Sequence, residues 1–83
     1  SFTTNIANEL IGRYPKKFVV VARNKSGRMI CSLRGENVVT PLLRALEGIN
    51  GKGGGHPNAC GAVIEEQDWD RFLQAFKVEI KRK

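Results

Sequence analysis

Residues 51–61 read Gly51-Lys52-Gly53-Gly54-Gly55-His56-Pro57-Asn58-Ala59-Cys60-Gly61 and hold five of the chain's nine glycines together with its only histidine. Lacking Cβ, glycine takes up positive φ and lets the backbone approach a ligand closely, so that consecutive amide N–H groups can converge on an anion. The segment is therefore expected to be a loop that cradles a phosphate or nucleotide. His56 adds a side chain that donates a hydrogen bond and, beside an anion, can carry a proton at neutral pH. Pro57 then fixes the exit of the chain. The alternative is a flexible glycine linker with a surface histidine. Against that, the segment runs straight into Ala59-Cys60-Gly61-Ala62-Val63-Ile64, a small-then-apolar run with the pattern of a buried strand.

The second group with chemical potential lies upstream, at the end of the run Met29 to Leu33. If that run is a strand, its period of two puts Arg28, Ile30, Ser32 and Arg34 on one face and Met29, Cys31 and Leu33 on the other. Ser32 and Arg34 then point the same way. Taken alone, Arg34 reads as a solvated arginine before a turn.

The elements that must position these groups follow from spacing. Ile6, Ala7, Leu10, Ile11 and Tyr14 recur at helical intervals after a cap at Thr3-Thr4-Asn5, and Pro15 stops the helix. Phe18 to Ala22 is short, β-branched and continuously apolar, which predicts a strand covered on both faces. Asn24-Lys25-Ser26-Gly27 is turn chemistry, so this strand and the next form an antiparallel hairpin. Thr40-Pro41 marks a helix start, with Leu42, Leu43, Leu46 and Ile49 as its apolar stripe and Gly48 or Gly51 as its end. A last helix opens near Asp68 and carries Trp69, Phe72, Leu73, Phe76 and Ile80 on one side, a stripe that reads as core in preference to a base-stacking platform. The expected order is αββαβα, a small α/β (α+β) domain spanning 1–83 with helices packed on a mixed sheet.

At 83 residues the chain is near the lower limit for a single core without disulfides or metals. Its only methionine is Met29, so the sequence is expected to be a portion of a larger protein. Cys31 and Cys60 sit in apolar segments and not in C-x-x-C spacing, and read as reduced core thiols suited to the cytoplasm. No apolar run approaches a membrane span and no signal peptide opens the chain, so a soluble domain is expected. Fourteen Lys and Arg against eight acids give a net charge of +6, which favours polyanionic partners. Arg13, Lys16, Lys17, Arg23, Lys25, Arg28 and Arg34 make the first half basic, whereas Lys81-Arg82-Lys83 reads as a solvated end.

Taken together, Ser32-Leu33-Arg34 and the GGGH motif within Gly53-Gly54-Gly55-His56-Pro57-Asn58-Ala59-Cys60-Gly61 resemble the DHHA1 domain, the C-terminal domain of DHH-family phosphoesterases such as RecJ-type single-strand exonucleases and oligoribonucleotide-degrading enzymes. The resemblance covers nearly the whole chain. It implies a parent enzyme whose N-terminal DHH domain binds Mn2+ or Mg2+ and hydrolyses phosphodiesters. This chain has no Asp-His-His motif and its acids are not in ligand spacing, so no catalytic or metal-binding residue is expected here. What the resemblance implies instead is grip on single-stranded nucleic acid or a short oligonucleotide. Arg34 would hold a phosphate or terminal group, His56 would hydrogen-bond the phosphate beside the scissile bond, the amides of Gly53, Gly54 and Gly55 would line the pocket, and Ser32 would add a hydroxyl. Two positions depart from the family pattern: Gly35 stands where many relatives have serine, and Cys60 where alanine is common. A related domain ends alanyl-tRNA synthetases, which leaves an RNA-binding module as an alternative, with a non-catalytic docking domain as a third.

Overall fold

In the computed structural model, which describes residues 1–82, two hairpins organise the chain. Ser26 (φ 53°) and Gly27 (φ 83°) both take the left-handed conformation that a two-residue turn between twisted strands demands. They join β1 (Val19–Lys25) to β2 (Arg28–Arg34). Pro57-Asn58 turns the chain between β3 (Gly51–His56) and β4 (Ala59–Glu65). β2 also pairs with β4, so the strands lie in the order β1-β2-β4-β3.

The α+β class is the one expected, with two differences. The sheet is antiparallel throughout and not mixed, because both hairpins and the β2–β4 pairing reverse direction. The element order also gains a strand, since the segment expected to be a glycine loop is β3. Glycine is a poor strand former by propensity, so the pairing has another cause. A Cβ at Gly53 would lie 2.8 Å from the Ala62 Cβ and 2.9 Å from the Gly61 carbonyl oxygen. Only a residue without a side chain lets β3 seat itself this closely on β4.

One face of the sheet is closed by α2 (Val39–Ala45) and α3 (Trp69–Ile80), the latter entered through a 3-10 turn at Glu66–Asp68. Cys31, Leu33, Cys60, Ala62 and Ile64 from β2 and β4 meet Val38, Leu42, Ala45, Phe72 and Phe76 there. Phe72 lies between Trp69 and Phe76, with ring centroids 5.6 and 6.0 Å away. The aromatic stripe of α3 is thus core, as its spacing predicts, and burying a side chain such as Phe72 stabilises by roughly 1.5–3 kcal/mol. Both cysteines are free and buried. Burial pushes the Cys31 thiol up to about 12 and raises that of Cys60, against the pull of the nearby Arg34.

The opposite face carries only α1 (Phe2–Arg13), which packs on β1 and β2. β1 is accordingly covered on both faces, which is why its apolar run is continuous. α1 starts earlier than the cap read at Thr3-Thr4-Asn5: Ser1 is the N-cap, its Oγ accepting from the Thr4 amide. Thr3 and Thr4 are inside the helix, and their hydroxyls turn to β2. α2 is shorter than its apolar stripe suggests, with Thr40-Pro41 in its first turn and the chain already turning at Gly48. At the other end Arg82 pairs with Glu79 at 3.0 Å, while Lys83 of the basic tail lies outside the described residues. No helix among the described residues is long and apolar enough to cross a membrane.

Candidate functional site

Directly opposed residues of an antiparallel ladder point to the same face, so the register fixes what stands on the half of the sheet that α1 leaves open. Arg34 opposes Ala59, and Ala59 opposes His56. In the next row Ser32 opposes Gly61, and Gly61 opposes Gly54. Arg34 and His56 therefore rise from the same side, about 10 Å apart at the backbone, with an alanine between them. Beyond Ser32, whose hydroxyl is bonded under the start of α1, the row beside them presents two glycines and no side chain. A Cβ at Gly54 would meet nothing within 4 Å, so the glycine row is the floor of an open depression.

Arg34 is held in place by neutral acceptors. Its Nε donates to Asn8 Oδ1 at 2.8 Å, and Nη1 donates to the carbonyls of Leu33 at 2.9 Å and Cys60 at 3.2 Å. Among the described residues no carboxylate pairs with it. The guanidinium is thus oriented and half-buried without its charge being cancelled, and Nη2 makes no hydrogen bond among the described residues. Such a fixed fork matches the oxygens of a phosphate or carboxylate. Asn8 escapes a reading of the sequence because it lies on a helix whose apolar stripe dominates. The available signal is its spacing: Thr4 and Asn8, one turn apart, form a polar line on the side of α1 that faces β2.

His56 is exposed at the end of β3. The turn after it is stitched to the loop that follows Arg34: Asn58 accepts from the Gly35 amide through its carbonyl and from the Asn37 amide through Oδ1, at 3.1 and 2.9 Å, and the Pro57 carbonyl accepts from Val39 at 3.2 Å. The Cys60 thiol donates to the His56 carbonyl at 3.1 Å. These bonds tie the strand end that carries Arg34 to the one that carries His56.

The remaining expected residues are placed differently. Gly53, Gly54 and Gly55 do not form a nest of converging amides, because alternate amides of a strand point to opposite edges. Gly53 and Gly55 instead allow close strand contact; a Cβ at Gly55 would lie 2.7 Å from the Ala59 carbonyl oxygen, at a φ of 146°. Ser32 is buried, its hydroxyl bonded to those of Thr3 at 3.0 Å and Thr4 at 3.3 Å, where it fastens the start of α1. At Gly35 a Cβ would come within 2.5 Å of the Phe18 ring, so this chain's packing leaves no room for a serine there.

The DHHA1 domain model matches residues 3–82, which include both strand ends and the turn between β3 and β4. The chain belongs to the DHHA1 domain family. No curated protein matches it. DHHA1 domains are associated with DHH-family phosphoesterases, where they normally accompany an N-terminal DHH domain. Those enzymes imply Mn2+ or Mg2+. Among the described residues of this DHHA1 domain, however, no three His, Cys, Asp or Glu side chains gather into a group that could hold a metal, so its residues do not fit such an ion.

Proposed function

We propose that this DHHA1 domain grips the substrate of a DHH-family phosphoesterase that acts on single-stranded nucleic acid or short oligonucleotides, and that it hydrolyses nothing by itself. The observation that carries this reading is the row Arg34–Ala59–His56, in which an oriented, unpaired guanidinium and an imidazole flank a side-chain-poor floor. Arg34 holds a phosphate through its free nitrogen, and His56 donates to the same phosphate or its neighbour. The parent chain supplies the DHH domain and, with it, Mn2+ or Mg2+. Two free buried thiols support a reducing, cytoplasmic setting.

The test is fluorescence anisotropy of the 83-residue chain with a labelled five-nucleotide single strand, competed by AMP. Arg34→Ala and His56→Ala each weaken binding by about 1–3 kcal/mol, the scale of a charge-assisted hydrogen bond, without lowering Tm. Asn8→Ala has a smaller effect of the same kind, since the charge stays and only its orientation is released. Unchanged affinity in both the Arg34 and His56 variants sinks the proposal. Binding that disappears with salt yet ignores His56 indicates a basic docking surface.

A further inference from the structure

The row after the glycines continues the open face in a different chemical character. Ile30 opposes Val63, and Val63 opposes Lys52. Val63 is 40% exposed, and Ile30 is half-buried beside it. Thr4, Ser32, Ile30, Gly61, Val63 and Lys52 line one continuous open groove of about 550 Å³. Hydroxyls border it on the α1 side, Gly61 and an apolar patch form its floor, and the Lys52 ammonium stands at its outer rim.

Lys52 is exposed and has no acidic partner among the described residues. The nearest acid in the neighbouring row, Glu65, is already paired with Arg28 at 3.3 Å. Lys52 and His56 are four residues apart on one strand, which puts their backbones about 14 Å apart along β3. Between them on this face lies only Gly54. The face thus carries Lys52 at the rim of a partly apolar groove, and Arg34 and His56 two rows away beyond Gly61 and Gly54. A mononucleotide held by its phosphate at Arg34 and His56 would leave the far cation unused. A chain of at least two nucleotides would not.

Resting on the phosphate-gripping role of Arg34 and His56, we infer that this groove, lined by Ile30, Gly61, Val63 and Lys52, is a second subsite. It takes the sugar and base of the adjoining nucleotide against Ile30, Val63 and Gly61, and the next backbone phosphate on Lys52. The domain therefore selects oligonucleotides over mononucleotides, and Lys52 is the residue that measures the difference. Ile30, Gly61 and Val63 offer no side-chain hydrogen-bonding group to a base edge, so the subsite reads length and not base identity.

The experiment compares AMP with the oligonucleotide pA5 as probes of the 83-residue chain, by isothermal titration at fixed ionic strength and by amide chemical shifts. The wild type binds pA5 more tightly than AMP, and pA5 but not AMP shifts the amides of Gly61 and Val63. Lys52→Ala reduces the preference for pA5 over AMP about tenfold, the loss of one charge-assisted contact, and Lys52→Arg retains it. Lys77→Ala, on α3 and away from this face, leaves the preference as it was. A preference unmoved by Lys52→Ala, or lowered equally by Lys77→Ala, overturns the subsite while Arg34-dependent AMP binding still stands. Binding of neither probe that depends on Arg34 removes the gripping role, and the subsite with it.

Discussion

On the face of the sheet turned to α2 and α3, Leu33 and Cys60, and Cys31 and Ala62, stand opposite one another and, with Ile64, pack beneath Leu42, Phe72 and Phe76. On the other face the same strands present Arg34, Ser32, Ile30, Gly61 and Lys52, and the single helix α1 covers only half of them. The glycines of β3 divide along the same line. Gly53 and Gly55 share the packed face, where a side chain has no room, whereas Gly54 stands on the open one, opposite Gly61 of β4, where there is room. One strand thus uses glycine for two purposes at alternate positions, close strand contact on one side and an unobstructed floor on the other.

Three measurements test how separate the faces are. The largest effect belongs to the packed face: Phe72→Ala, at a side chain with no exposure, costs about 3–5 kcal/mol of stability, read from urea unfolding. Arg34→Ala leaves the midpoint nearly where it was. A comparable loss in both would erase the distinction.

Next comes alkaline stability. The buried Cys31 thiol keeps its proton in the fold up to about 12, against an ordinary value of 9.0. In that window the unfolded chain gives up the proton and the folded chain does not, so rising pH favours unfolding. The contribution is fully present below 9.0 and is lost towards 12, at up to about 1.4 kcal/mol per pH unit. Cys31→Ala lacks this component of the slope. An unaltered slope would mean that the packed face is wetter than described.

The smallest and sharpest contrast is within the glycines. Gly53→Ala overpacks the contact with Ala62 and costs about 1–3 kcal/mol in thermal unfolding. Gly61→Ala, whose nearest Cβ neighbour is the Cys31 carbonyl oxygen at 3.6 Å, stays within about 0.5 kcal/mol. Equal costs at the two positions would break the division.

Much of this is legible before any coordinates. The period of two along Arg28 to Arg34 assigns Ser32 and Arg34 to one face, and the helical stripe Trp69, Phe72, Phe76 announces the cover of the other. Two things resist. β3 is invisible to propensity because the property that makes it a strand, room for close contact with β4, belongs to the pair and not to the segment. Asn8 is hidden because its role is set by a residue 26 positions away. The hydroxyl of Ser32 shows the same limit: its face is readable, but its engagement by Thr3 and Thr4 depends on where α1 begins.

The strand order makes the two sides of the proposed grip unequal in how they behave over time. β2, which carries Arg34, is bonded on both flanks, whereas β3, which carries His56, is bonded only to β4. Local opening draws first on edges with few packed side chains, and β3 contributes four glycines among its six residues. Arg34 is the fixed jaw and His56 the yielding one. Amide exchange is expected to be faster in β3 than in β2, and on the proposed reading a bound strand of nucleic acid would close the loose side onto the stiff one.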